Sequence, residues 1–118
     1  MKMKDENLVN LADPGMFCEV FGDTPRNRIL EFFLAMRDVD YGIADVARNL
    51  EMNKVTAYNV TKELIKKEIL VPYRILGRTQ TYKLNKKNKI VKIMLKAFDM
   101  LIDLIAKEHM VEKIIVKH

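Results

Sequence analysis

The side chains with most to offer chemically lie between Asn53 and Glu68, NKVTAYNVTKELIKKE. At ~100° per residue of helix, Ala57, Thr61, Leu64 and Ile65 share one side, while Val55, Tyr58, Asn59, Lys62 and Lys66 share another. A merely solvated face would mix Glu with Lys. This one is cationic and adds an aromatic ring, an amide and a branched aliphatic group toward its N-terminal half, a set that can meet a phosphate backbone and base edges together. Asn53 suits the start, because its side chain can accept from the free N–H groups of a first helical turn.

Charge segregation points the same way. The 118 residues carry a formal net charge of +5, but residues 1–53 hold six basic and ten acidic side chains, residues 54–92 eleven basic and two acidic, and residues 93–118 four of each. Scattered solvated Lys would be interspersed with acid throughout. A positive segment of this length fits a polyanion-binding surface.

Other chemistries find little support. The single cysteine, Cys18, cannot form an internal disulfide, and His109 and His118 lie far from it, so neither a metal site nor a cofactor site is expected. Between Phe17 and Glu19, Cys18 lacks the electropositive setting of a reactive thiol and reads as a buried structural one. Neither His accompanies a Ser, Cys or carboxylate cluster, and no glycine-rich phosphate loop is present, which speaks against an enzyme. No apolar run reaches the ~18–20 residues of a spanning helix, and MKMKDENL lacks a secretion signal's apolar segment, so a cytoplasmic location without a membrane partner is expected.

The surrounding elements follow from periodicity. Asn7 to Ala12 suits a short helix stopped by Asp13-Pro14-Gly15, and Met16, Phe17, Val20 and Phe21 are spaced for one apolar face that packs on the core or a partner. Thr24 caps and Pro25 opens a core helix in which Ile29, Leu30, Phe32, Phe33 and Met36 repeat up to Arg37. Gly42 caps a shorter helix with Asp45 in its first turn and Ile43, Val46, Ala47 and Leu50 as its buried stripe. Glu51-Met52 then connects to Asn53, with Met52 reaching inward. After Glu68 the period falls to two: Leu70–Leu76 and Thr79–Leu84 read as a hairpin around Gly77-Arg78, with Pro72 at an edge or strand start.

From about Asn88 a long helix runs to Lys107 or beyond, leaving 109–118 open between helix and strand. Lys92, Lys96, Asp99, Asp103 and Lys107 make its one polar stripe, and the rest of its girth is apolar. One domain cannot cover so wide a surface. Of two seams, Ile90-Met94-Ala97-Leu101-Leu104 and Val91-Leu95-Phe98-Ile102-Ile105, one is expected to pack on its own domain and the other on a second copy. The dimer contacts expected are Ile90, Met94, Ala97, Phe98, Leu101, Ile102, Leu104 and Ile105.

Helix, short helix, turn, basic helix and hairpin is the order of a winged helix-turn-helix. The stretch YGIADVARNLEMNKVTAYNVTKELIKKEILVPYRILGRTQTYKLN, Tyr41 to Asn85, resembles the DNA-binding region of MarR- and ArsR-type transcriptional regulators. GRTQTYKLN with FGDTPRNRILEFF is similar to archaeal members, and the likeness spans about residues 21–88. It implies an α+β, mainly helical fold with a two-stranded wing and a long C-terminal dimerisation helix. It further implies that Val46 and Ala47 lock the first helix of the pair and that Asn53 to Lys62, including Lys54, Val55, Thr56, Tyr58 and Asn59, enter a DNA major groove. The tip, with Arg78, Thr79 and Gln80, is then set to reach a minor groove or the backbone. The chain departs from the pattern at Glu51 and Glu68, where Gly is usual, and at Thr61, where Leu or a similar residue is usual; the Thr61 hydroxyl can bond back one turn.

The expected organisation is an N-terminal arm (1–22), a winged domain (23–87) and a dimerisation helix with tail (88–118). The expected function is a homodimeric, sequence-specific regulator on a palindromic double-stranded DNA site. Lys54, Lys62, Lys66, Arg74, Arg78 and Lys83 would neutralise phosphates, while Asn59 suits adenine and Val55 or Tyr58 a thymine methyl. A winged-helix protein-interaction module is the alternative, but it calls for an apolar or acidic face; structured RNA, with its narrow major groove, fits less well still. A small-molecule effector has room between the long helix and the winged domain, though no polar cluster marks a site for one.

Overall fold

The computed structural model describes residues 13–116, with side chains described through residue 108. The short helix expected over Asn7–Ala12 lies outside the described residues. The elements are α1 (Met16–Phe21), α2 (Pro25–Ala35), α3 (Ile43–Asn49), α4 (Lys54–Lys66), β1 (Leu70–Leu76), β2 (Thr79–Leu84) and α5 (Lys89–Val116).

Helix α2 is the spine of the core. Thr24 Oγ1 accepts from Asn27 N at 3.1 Å, Pro25 occupies the first helical position where no N–H is needed, and Ile29, Leu30, Phe32, Phe33 and Leu34 are buried. They pack with Val46, Ala47 and Leu50 behind α3 and with Ala57 and Leu64 of α4. Helix α1 is held onto α2 by Glu31, whose carboxylate accepts from Gly15 N at 2.8 Å and Cys18 N at 3.2 Å. A Cβ at residue 15 would lie 2.9 Å from a Glu31 oxygen, so a side chain there would make that carboxylate shift. The inner face of α1 is Phe17 and Cys18, whereas Val20 and Phe21 are exposed, so the apolar face expected here is rotated in the fold. Burial, with Glu31 and Asp23 adding to it, pushes the Cys18 thiol up to about 12, and it stays neutral.

The turns at both ends of α4 are left-handed without glycine: φ is +50° at Glu51 and +59° at Glu68. The chain keeps the turn geometry that Gly usually serves and bears the strain of a Cβ there, about 1–2 kcal/mol per residue. Thr61, 1% exposed, faces the core, and its hydroxyl, which could bond back one turn, has no hydrogen-bond partner.

The hairpin turns at Gly77 (φ +62°), and Leu76 pairs directly with Thr79. Between Pro72↔Tyr82 and Ile75↔Gln80 the register slips by one residue, a bulge that strengthens the local twist. Across the other side of β2, Tyr41 and Tyr82 exchange both backbone bonds, Tyr41 N to Tyr82 O at 2.9 Å and Tyr82 N to Tyr41 O at 2.8 Å. Strand β2 is therefore the inner strand and β1 the open edge, the position that Pro72 requires.

Asn88 caps α5, accepting from Ile90 N at 2.7 Å, and the helix continues through Val116, so the described part of the tail is helical. Val91 is fully buried, and Met94, Leu95 and Phe98 pack on the core. The Arg37 guanidinium grips Asp99 at 2.6 and 3.1 Å and lies 5.9 Å from the Phe98 ring centroid. Beyond that anchor α5 runs past α1, where Met100, Leu101 and Leu104 share an open groove with Phe21.

Candidate nucleic-acid interface

The N-terminal end of α4 is built to present side chains. Asn53 Oδ1 accepts from Val55 N at 2.8 Å and Thr56 N at 3.3 Å, so Asn53 is committed to capping and Thr56 is half-buried beside it. Val55 is 67% and Tyr58 48% exposed; Lys54, Asn59, Lys62 and Lys66 are exposed with them. Lys62 Nζ sits 5.5 Å from the centroid of the Tyr58 ring, a cation–π contact along the same face. Between α3 and α4 this face has a shallow apolar notch lined by Ile43, Ala44, Lys54, Val55 and Tyr58.

The wing divides its expected contacts. Arg78 is exposed at the tip. Arg74 is turned back: its guanidinium bonds both carboxylate oxygens of Asp40 at 2.8 and 3.2 Å, and this pairing, with the Thr81 hydroxyl second, holds the Asp40 carboxyl down at about 2. Gln80 spends its amide on the carbonyls of Arg74 (3.1 Å) and Thr81 (2.9 Å), closing the bulge. Thr79 approaches Gly42 so tightly that a Cβ there would meet its methyl at 2.6 Å. Arg74 and Thr79 thus seat the wing on the loop before α3, Gln80 braces the bulge within the wing, and Arg78 is left to reach outward. Lys83 lies 4.5 Å from the centroid of the exposed Tyr73 ring. Asp40 and Tyr41, which sequence reasoning passed over, do the seating from the other side. A one-residue bridge and a long-range ion pair leave no periodicity to find.

On α5 the uncovered apolar face differs from either expected seam. Ile90 (59%), Ile93 (69%), Met100 (66%) and Leu104 (53%) are exposed, and with half-buried Ala97 they are spaced three, four, three and four residues apart. That is the a/d spacing of a helix seam. Met94 and Phe98, expected at a dimer contact, pack instead on their own core. Leu101 and Leu104 also line an open groove with Phe21, Ala97 and Met100. Leu101 and Ile105 are half-buried. Ile102, also expected at a dimer contact, is 49% exposed and with Phe98 lines a cavity of about 200 Å³ bordered by α1 and α2. This is where an effector had room, yet of its charged lining Glu31 already caps α1 and Arg28 lies 3.6 Å from Asp23.

The fold recurs in solved structures. MepR, described as a transcription regulator of the Staphylococcus aureus multidrug efflux pump MepA, aligns with TM-score 0.57 at 19% identity over 80% of this chain and 68% of its own. A possible transcriptional regulator from Methanosarcina mazei gives 0.53 at 23% identity, over 79% and 81%. The chain has the winged helix-turn-helix fold. The S. aureus MepR–DNA complex shares this winged helix too, with TM-score 0.56 at 18% identity over 86% of this chain and 82% of that one. No family model and no curated protein matches the sequence. Among the described residues no helix is long and apolar enough to cross a membrane, and no three His, Cys, Asp or Glu side chains gather to hold a metal.

Proposed function

We propose that the chain is a cytoplasmic transcriptional regulator that binds double-stranded DNA sequence-specifically, as a homodimer on a palindromic site. The observation that carries this reading is the outer face of α4. It exposes Val55, Tyr58 and Asn59 between Lys54, Lys62 and Lys66, in a segment with eleven basic and two acidic residues, and nothing among the described residues covers it. A helix of this width enters a major groove, Lys neutralises phosphates, and the amide and apolar groups meet base edges. The DNA-bound MepR structure supports the reading, since a winged helix of the same arrangement is used there on DNA. Arg78 adds a backbone or minor-groove contact from the wing. The unpaired seam Ile90-Ile93-Ala97-Met100-Leu104 supports the dimer, because leaving each large side chain in water would forgo roughly 1.5–3 kcal/mol. A two-fold dimer sets its two reading helices about one DNA turn apart, ~34 Å.

Selection of the purified full chain against random duplex DNA tests this. Enrichment of an inverted repeat is expected, with Lys62→Ala lowering affinity for all duplexes and reducing the salt slope by about one contact. Absence of any enriched sequence, with binding insensitive to salt, overturns the reading in favour of a protein-interaction module.

A further inference from the structure

The end of α4 and the start of α5 are joined by one side chain. Helix α4 closes at Lys67 and the left-handed Glu68, whose carbonyl is left without a helical donor. Asn88 Nδ2 donates to that carbonyl at 3.0 Å, while the other end of the same amide, Oδ1, accepts from Ile90 N in the first turn of α5 at 2.7 Å. Asn85 Nδ2 adds a second donor to Glu68 O at 2.8 Å, and Asn85 N reaches Ile69 O at 2.9 Å. The amide is planar and its two ends are fixed relative to each other, so a change in the direction of α5 strains the bonds at the end of α4. In sequence the bracketed residues are 20 apart, with the entire hairpin between them. Without the bracket, α5 would take its direction from the hairpin's exit, from the packing of Val91, Met94, Leu95 and Phe98 and from the Arg37–Asp99 pair further along, none of which hydrogen-bonds to the end of α4.

We propose that Asn88 is a positioning residue that fixes the angle between the DNA-reading helix and the dimer helix, and thereby sets the half-site spacing that the dimer accepts. The inference rests on the DNA-binding dimer proposed above and adds a property to it. A reading helix sits roughly 17 Å from the two-fold axis, half of the ~34 Å between half-sites. A swing of about 10° at the bracket moves it about 3 Å, close to one base-pair rise. Held rigidly, the dimer must make the DNA twist or bend to accommodate a spacing error; released, it absorbs the error itself.

The discriminating variant is Asn88→Asp in the full chain. It keeps an acceptor for Ile90 N, and negative charge suits a helix N-terminus, but it replaces the donor to Glu68 O with an oxygen. Binding is measured on the selected operator and on versions with one base pair added or removed between half-sites. Native protein is expected to lose about tenfold or more per base pair, while the variant loses about threefold or less. Dimer mass, helix content, random-DNA affinity and salt slope should stay unchanged. A folded dimeric variant with the native spacing profile overturns the proposal, as does a uniform loss at every spacing, which is what a merely structural cap would give. Asn88→Ser, a capping residue too short to reach Glu68, gives the same readout should the Asp variant not fold. Native protein that selects no inverted repeat overturns the functional reading itself, and this proposal with it.

Discussion

Replacing Thr61 by Val should make the protein more stable. Thr61 is 1% exposed on the inner face of α4, and its hydroxyl has no hydrogen-bond partner, so folding strips water from a polar group and returns nothing. An unsatisfied buried group of this kind costs about 1–3 kcal/mol. Val is nearly isosteric, has about the same helix propensity, and puts a methyl against core already made of Ala57 and Leu64. Allowing for imperfect repacking, the gain should be about 1–2 kcal/mol. For a chain of this size that raises the melting temperature by about 4–8 °C. Thermal unfolding followed by circular dichroism, at one fixed protein concentration because the proposed dimerisation would also shift the midpoint, reads it directly. Thr61→Ser, which keeps the hydroxyl and deletes the methyl, should fall below the native protein. A melting temperature for Thr61→Val equal to or below native would refute the reasoning, and would mean that the hydroxyl does find a carbonyl in solution.

Glu51→Gly and Glu68→Gly should each raise the unfolding free energy measured by urea titration by roughly 0.5–1 kcal/mol, since relief of about 1–2 kcal/mol of left-handed strain exceeds the ~0.4–1 kcal/mol of extra unfolded-chain entropy. Asp40 is held at about 2, below its ordinary 3.8, so its pairing stabilises the fold above that ordinary value and is lost as pH falls through about 2; in urea titrations across that window, Asp40→Asn should show a flatter acid limb than native. Because Arg74 is already paired with Asp40 and Arg78 is not buried or turned inward, Arg78→Ala should reduce the DNA-binding salt slope by about one contact, while Arg74→Ala should lower stability more than slope. Ile93→Lys with Met100→Lys places charge on the exposed seam and should give a chain sedimenting at monomer mass with its winged domain still folded; a dimer of unchanged affinity would move the interface elsewhere.

Much of this architecture was legible because it is local. Thr24-Pro25, Gly42, Asn53 and Gly77-Arg78 are capping and turn signals that act over a few residues, and each marks an element boundary in the fold within two positions. The exposed half of α4 was legible too, because a helix's period fixes which side chains share a face. What the sequence hid is long-range. Arg74 looks like any basic wing residue until Asp40, 34 positions away, takes its guanidinium, and Gln80 looks like a contact residue until the bulge gives it two carbonyls. The exposed seam of α5 was hidden for another reason: a helix apolar around most of its circumference does not mark which side its own core will cover, so the pattern leaves both 90-94-97-101 and 90-93-97-100 open. Only burial of Val91, Leu95 and Phe98 decides which side remains. The rotation of α1 was hidden similarly, because Glu31 determines how that short helix sits.

The open edge of the wing has a consequence for how the protein behaves at high concentration. Tyr82 gives its backbone bonds to Tyr41 on the far side of β2, so its pairing with Pro72 is of the kind in which neither backbone group faces the other strand. An N–H at residue 72 would therefore have pointed outward, into the row of groups that another chain's strand would need. Proline removes that donor without costing the hairpin a bond, and the bulge that follows twists the remainder of β1 out of line. This strand exposes Tyr73, Ile75 and Leu76, the sort of apolar run that templates aggregation when its edge is straight and fully equipped. Pro72→Val should consequently leave folding intact while turning the wing into a site of slow, concentration-dependent self-association.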